Sequence, residues 1–235
     1  MLLIIIPTLN EEKNVIFLFK EIKKNQNKFH LLFVDDDSQD NTRKIILYLS
    51  KKYKNVFYIF RPRRLGIGSA HKDALKWAYK NKYNTIITMD GDRTHSPKYI
   101  KLILKFIKSH DIVTCSRFSK NFNSLKDWPL FRKIITRVRH LLISNLLDMK
   151  LDASGAFRCY NPKVVLISDL LKAKNNGYSF FWESLFFLKD KYKIKEIEIK
   201  LPFRKIGSSK MKISDIYKSL FYLLKFYIRK KFLKI

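Results

Sequence analysis

Five short apolar runs recur along the first half of the chain, at residues 2–6, 30–34, 56–60, 85–89 and 111–115, and each has the length of a buried strand. Between them, residues 11–24, 40–52, 68–81 and 97–109 mix charged and apolar side chains at the spacing of surface helices. Strand and helix therefore alternate. That order predicts an α/β fold, a mainly parallel sheet covered by helices on both faces, with ligands at the carboxyl ends of the strands. Polar clusters stand at those ends. Pro7-Thr8-Leu9-Asn10-Glu11 follows the first run, Asp35-Asp36-Asp37-Ser38 the second, Arg61-Pro62-Arg63-Arg64-Leu65-Gly66 the third, Asp90-Gly91-Asp92 the fourth and Ser116-Arg117 the fifth.

Past residue 120 the pattern changes. Asp127-Trp128-Pro129 opens a basic helix running to about residue 147, residues 153–160 read as a strand, and a helix starts near Pro162. A further helix over 181–191 precedes a strand at 194–201, and a last helix begins near Met211. With no internal repeat and no long linker, residues 1–212 read as one domain whose second half forms an acceptor-side subregion. Residues 213–235 read as a basic amphipathic helix. Lys218, Lys225 and Arg229 interrupt its apolar residues, so it lacks the ~20 apolar residues of a membrane span. At about 100° per residue those cations share one stripe, opposite Ile216, Leu220, Leu223, Leu224 and Tyr227. The apolar side has two uses open to it, packing on the domain or lying in a membrane interface. The charge of Arg229-Lys230-Lys231 and Lys234 favours an anionic membrane surface.

Forty-nine Lys+Arg against twenty Asp+Glu give a formal net charge of +29 over 235 residues, which calls for an anionic partner. Nucleic acid, membrane surface and phosphorylated small molecules all qualify on charge alone. With 46% hydrophobic residues the chain is no disordered basic tail. Two cysteines, Cys115 and Cys159, supply neither a disulfide framework nor a Cys-rich zinc site, so a reducing, cytoplasmic setting is expected. Residues 1–6 run straight into Pro7, too short a stretch for a signal peptide.

Two acidic clusters carry the candidate chemistry. Asp90 and Asp92 project from a strand end, where two hard oxygen ligands one residue apart can share a Mg²⁺ or Mn²⁺ with phosphate and water. A plain turn has the same composition. Among Asp35 to Thr42, a carboxylate can receive hydrogen bonds from a ribose or base, while Ser38 or Asp40 can cap the following helix. His30, His71, His95, His110 and His140 lack metal-ligand spacing and are expected to be structural; His95 alone lies beside the acidic pair.

The order of these pieces resembles the family 2 glycosyltransferases of GT-A fold: Ile6-Pro7-Thr8-Leu9-Asn10-Glu11-Glu12, then Val34-Asp35-Asp36-Asp37-Ser38 with Asp40 and Thr42, then Leu65-Gly66 with Gly68 and Ala70, then Met89-Asp90-Gly91-Asp92 with His95 and Pro97. Within that family the second half resembles the dolichyl-phosphate (polyprenyl-phosphate) mannosyltransferases. Ser116-Arg117, Arg132-Lys133 with Thr136, residues 154–160, Gly177-Tyr178 with Phe180 and Glu183, and Arg204 with Gly207, Ser209 and Lys210 carry that likeness. Together they cover about residues 3–215. Asp37 and Asn41 stand where the family usually has glycine, Arg93 where it is more often apolar and Phe181 where it is commonly polar. These departures bear on sugar identity rather than reaction type.

The resemblance implies roles residue by residue. Pro7, Leu9, Glu11, Val34 and Asp36 match the nucleoside pocket. Asp90, Gly91 and Asp92 match the metal and diphosphate site, with Thr94 giving a further oxygen to a Mg²⁺ or Mn²⁺. Arg117, Arg132 and Thr136 match the cradle of the acceptor phosphate, and Arg204 and Lys210 a basic segment over the donor diphosphate. The implied reaction moves a hexose, mannose first, from a nucleotide sugar, GDP-mannose first, to polyprenyl or dolichyl phosphate with inversion, at the cytoplasmic face of a membrane. Another sugar nucleotide such as UDP-glucose, with a lipid or glycan acceptor, is the alternative, and a membrane subunit is a partner the resemblance allows. A nucleic-acid-binding protein is the alternative of another class. No nucleic-acid motif supports it, and acids at three strand ends would repel phosphate unless a metal intervened.

Overall fold

The computed structural model describes residues 1–118, 125, 127–204, 206, 210 and 213–233. The five apolar runs form β1 (Leu2–Thr8), β2 (His30–Asp35), β3 (Val56–Phe60), β4 (Thr85–Thr88) and β5 (Ile112–Ser116). The helices between them are α1 (Glu12–Asn25), α2 (Thr42–Lys52), α3 (Ile67–Lys80) and α4 (Ile100–Phe106). The second half adds α5 (Leu130–Leu147), β6 (Arg158–Tyr160), α6 (Ile167–Leu170), α7 (Phe180–Leu188), β7 (Ile194–Glu198) and α8 (Ile213–Leu233).

The seven strands lie in the order β3-β2-β1-β4-β6-β5-β7, all parallel except β6, which runs antiparallel to both β4 and β5. Alternation along β1 builds the two helical layers. Leu3 and Ile5 pack with Ala70, Ala74 and Leu75 of α3 and Phe180 of α7, while Ile4 and Ile6 pack with Val15, Leu18 and Ile22 of α1, Ile46 of α2 and Ile103 of α4. Each such side chain contributes about 1.5–3 kcal/mol relative to an exposed position. The strand ends that must carry polar residues are thereby held on a rigid slab.

Several expected boundaries move, three of them in the second half of the chain at the loops around the sheet. The strand expected over 153–160 is ordered as sheet only from Arg158, because Asp152 and Ser154 turn to Arg117 instead of pairing with a neighbouring strand. The helix expected near Pro162 begins at Ile167. The strand expected to reach residue 201 ends at Glu198, and the chain leaves the sheet after one last bond, from Ile199 N–H to the Ser116 carbonyl at 2.9 Å.

A third apolar cluster joins α5, α7 and α8 through Ile143, Leu147, Trp182, Leu185, Leu223 and Phe226. The last helix thus packs on the domain through one side and leaves apolar residues outside on the other. Leu223 and Phe226 pack inward, while Tyr217, Leu220, Phe221, Leu224, Ile228 and Phe232 remain exposed. Among the described residues no helix is long and apolar enough to cross a membrane. Gly207, Ser209, Met211 and Lys234 of the sequence motifs lie outside the described residues.

Candidate active site

The acids that end β2 first build the site's frame. Thr8 donates its hydroxyl to Asp35 at 3.0 Å, tying β1 to β2. Asp36 accepts the N–H groups of Leu65 and Gly66, both at 2.9 Å, and pairs with Arg61 at 2.9 Å. Its carboxylate is therefore engaged in holding the turn before α3. Gly66 at φ 98° makes that turn possible, since a Cβ there would meet the Asn176 carbonyl at 2.5 Å. Asp40 caps as expected, accepting the N–H and hydroxyl of Thr42 and the N–H of Glu12. Asp37, in a place where glycine was expected, takes φ 68°. Pro7 and Leu9 are partly exposed at the end of β1, but Val34 is fully buried in the core layer with Leu32 and Ala70. Its side chain is not brought to the open site.

Asp90-Gly91-Asp92 lies directly over the end of β1, where a Cβ on Gly91 would stand 3.1 Å from the Pro7 carbonyl. His95 shapes this turn: its Nδ1 accepts the Asp90 N–H at 2.9 Å, and its ring stacks on Phe157 at 5.0 Å. Thr94 donates its N–H and hydroxyl to Asp92 Oδ1 at 3.1 and 2.7 Å. Asp92 Oδ2 faces Arg204 Nη1 at 3.5 Å, and Arg204 Nη2 reaches both oxygens of Glu11 at 2.8 Å. Burial pushes the Glu11 carboxyl up, opposed by the hydrogen bond from Asn14 and by Arg204. Burial also raises the Asp90 carboxyl; Asp92 adds to this, and His95, Arg117 and Arg204 oppose it. Partial burial, with the charge of Asp90 adding to it, pushes the Tyr178 hydroxyl up to about 12.

On the other side, Arg117 at the end of β5 is held by Asp152, whose Oδ2 lies 2.8 Å from its Nε, and by Ser154 at 3.2 Å from its Nη2. Burial would raise the Asp152 carboxyl, but Arg117 overrides this and holds it below the usual range. Thr136 of α5 is buried, whereas Arg132, one turn earlier, is exposed and lies over the Phe203 ring at 5.6 Å. Phe203, in the segment after β7, thus lies under Arg132 of α5, and the next residue, Arg204, reaches the acid group. Lys210 helps hold the Asp40 carboxyl down.

The structure brings Glu11, Asp90, Asp92, Thr94 and Arg204 together, and sets Arg117 within electrostatic reach of Asp90. Sequence reading missed Asp152, while His95, expected to be structural, shapes the acidic turn. Asp152 is a lone acid 35 residues from the arginine it orients, so no local spacing marks it.

The sequence model of the family described as "Glycosyl transferase family 2" matches residues 3–166. The chain belongs to that family. It is a glycosyltransferase. Among curated relatives it is 26% identical over 234 residues to a polyprenol monophosphomannose synthase of Mycolicibacterium smegmatis, covering 97% of this chain and 87% of that protein. It is 27% identical over 211 residues to an undecaprenyl-phosphate mannosyltransferase of Micrococcus luteus, covering 89% and 86%. Its fold is that of glucosyl-3-phosphoglycerate synthase from Mycobacterium tuberculosis, solved with Mn²⁺, uridine diphosphate and phosphoglyceric acid, at TM-score 0.69 and 15% identity over 97% of this chain and 78% of that one.

Proposed function

We propose that this glycosyltransferase moves a mannosyl group from GDP-mannose to a polyprenyl or dolichyl phosphate, with inversion, in a reaction that depends on Mg²⁺ or Mn²⁺. The observation that carries the reading is an acid pair, Asp90 and Asp92, at the end of β4, within electrostatic reach of an oriented arginine, Arg117, at the end of β5. Both curated relatives are named as mannosyltransferases or phosphomannose synthases of polyprenol-type phosphates.

The donor set fits a divalent cation. Among the described residues no group of three or more His, Cys, Asp or Glu side chains could hold a metal unaided. Two carboxylates are enough when a diphosphate completes the shell. Arg204 already bridges Glu11 and Asp92, which marks the group as a place that takes positive charge. The bound cation would be held by Asp90 and Asp92, with Thr94 nearby, and would neutralise charge growing on the departing nucleoside diphosphate. Pro7, Leu9 and Glu11 border the nucleoside, with Gly91 letting the acidic turn lie close. Asp36 and Val34 support that pocket from behind.

A phosphate monoester is already anionic near neutral pH, so it needs orientation more than deprotonation. Its oxygen forms the new bond to the anomeric carbon as the bond to the donor diphosphate breaks. Arg117 and Arg132 suit that acceptor because guanidinium forks grip phosphate oxygens in pairs. Thr136 lies one turn from Arg132 on α5 and adds a hydroxyl. Arg204 stabilises the leaving diphosphate, and Lys210 extends the basic surface on the donor side.

The enzyme works as a peripheral protein on the cytoplasmic face of a membrane, residues 1–212 carrying the reaction and α8 contacting lipid. Leu130, Phe131, Ile134, Val138 and Leu141 of α5 are exposed on the side of the helix opposite Thr136, and add a second apolar face. A donor screen with radiolabelled GDP-mannose and UDP-sugars, with and without Mn²⁺, and with a mixed pool of lipid phosphates, tests the reading. Transfer from GDP-mannose to lipid phosphate is expected. Transfer only from UDP-glucose, or only to a glycan, would replace it.

A further inference from the structure

The basic helix α5 carries an inward-turned arginine that the site described so far does not use. Arg139 lies three residues after Thr136 and seven after Arg132, so about 100° per residue places all three on one side of the helix. Its Nε is buried and has no hydrogen-bond partner. Among the described residues no carboxylate forms an ion pair with it. The acid in reach is Asp152, and both of that side chain's oxygens are already taken up by Arg117 and Ser154.

Electrostatics make this position costly in the free protein. Burial pushes the Arg139 guanidinium down to about 10, Arg117 pushes the same way, and Asp152 alone opposes them. His140, stacked on Phe118 at 4.1 Å, is lowered by burial and by the same two arginines, so it brings no compensating negative charge. Around Arg139 itself, its own charge and that of Arg117 face one carboxylate, Asp152. A partly buried cation held so persists where a bound anion completes it.

We propose that Arg139 is an acceptor-binding residue that, with Arg117, fits the site to a doubly charged phosphate monoester and against a singly charged phosphodiester. The inference rests on the lipid-phosphate reading above and sharpens it. Arg117, Arg132 and Arg139 carry three positive charges against the carboxylate of Asp152, a net of two, and without Arg139 only one negative charge of the phosphate is matched. Arg139 matches the second, which an ester link to another group would remove.

The test measures binding of farnesyl phosphate and of its methyl diester to the full chain by calorimetry, in wild type, Arg139→Gln and Arg139→Lys. Wild type is expected to bind the monoester at least about tenfold more tightly than the diester, a difference of ~1.4 kcal/mol. Arg139→Gln should lose that factor for the monoester and little for the diester, with Arg139→Lys recovering part of it and Mn²⁺-GDP binding unchanged in both. Thermal melting separates a structural role: without ligand, Arg139→Gln should melt at or above the wild-type temperature, because an unpaired buried charge has been removed. A lower melting temperature with equal losses for both lipids would overturn the proposal, as would an unchanged preference for the monoester. Failure of the wild type to bind farnesyl phosphate at all would instead strike the lipid-phosphate reading.

Discussion

Arg204 holds both carboxylate oxygens of Glu11 at 2.8 Å, across 193 residues of sequence, and in doing so draws the segment after β7 over the acid group. Both side chains are nearly buried, so the pair is one that cannot be half removed without consequence. Arg204→Ala leaves Glu11 buried with only Asn14 as a side-chain partner and should cost about 3 kcal/mol at pH 7 in urea unfolding. The Glu11 carboxyl is already raised by burial and rises further without Arg204. Protonation therefore relieves the variant, and its deficit should shrink as the pH falls towards 5. A deficit that stays constant with pH, or that Glu11→Gln does not reduce in the double variant, would show that Glu11 is not the group left stranded.

Asp92→Asn should abolish divalent-ion-dependent transfer while leaving the fold intact. The amide keeps an acceptor for Thr94 but loses the charge that balances the cation and Arg204. A fall in turnover of about 100-fold or more is expected, with weaker Mn²⁺-GDP binding. Wild-type rates in Mg²⁺ or Mn²⁺ would remove Asp92 from the metal site.

On the acceptor side, Arg132→Ala should raise the Michaelis constant for lipid phosphate by about tenfold and leave that for the sugar nucleotide nearly unchanged, since one charge-assisted bond contributes roughly 1.5–3 kcal/mol. The stack of Arg132 on Phe203 also steadies the segment that carries Arg204, so steady-state kinetics must be run against both substrates. Equal effects on both would move Arg132 to the donor side.

What the sequence made legible was periodic. The run at residues 2–6 is apolar on both faces because β1 is covered on both, and that needs no knowledge of its neighbours. The acids at strand ends were legible for the same reason, since each follows directly on such a run. Residues 153–157 misled because Ala153, Ala156 and Phe157 are apolar and buried, as a strand's would be, although they form the loop that braces Arg117. Arg139 was hidden among Arg132, Lys133 and Arg137: composition cannot say which face of a basic helix turns inward. Its spacing of three from Thr136 held that information once Thr136 was known to be buried.

Asp169 gives a prediction about stability alone. Its carboxylate accepts from Tyr192 at 2.7 Å and Lys191 at 2.6 Å and pairs with Lys172 at 2.9 Å, and these bonds, Lys191's first, hold it well below the usual carboxylate range. A depressed acid contributes stability that is full above its unfolded value, about 3.9, and is lost as the pH falls through the folded one. Asp169→Asn keeps an acceptor for Tyr192 but removes the charge that strengthens that buried bond, and should cost about 1–2 kcal/mol at pH 7, because the half-exposed lysines add little. Urea unfolding at pH 7 and pH 3 checks this. The gap between variant and wild type should narrow at the lower pH, and a gap that widens would reverse the assignment.

The membrane reading is best tested on the outward side of α8, because its inward side belongs to the core. Deleting residues 218–233 would strip Leu223 and Phe226 from Trp182, so lost binding after that deletion could mean only lost folding. Phe221 and Ile228 avoid this difficulty: they are 70% and 54% exposed, and at about 100° per residue they lie on one side, next to Lys218 and Lys225. Phe221→Asp with Ile228→Asp should leave the melting temperature within a few degrees of wild type. Each apolar side chain moved into lipid contributes about 1.5–3 kcal/mol, and each neighbouring cation on the order of 1 kcal/mol at an anionic surface. The double variant should therefore sediment with phosphatidylserine vesicles at least about tenfold less well than wild type at low salt. Wild-type binding should weaken as salt screens the cations. Unchanged sedimentation of the folded double variant would take α8 off the membrane and leave the exposed face of α5, through Phe131 and Leu141, as the surface to substitute next.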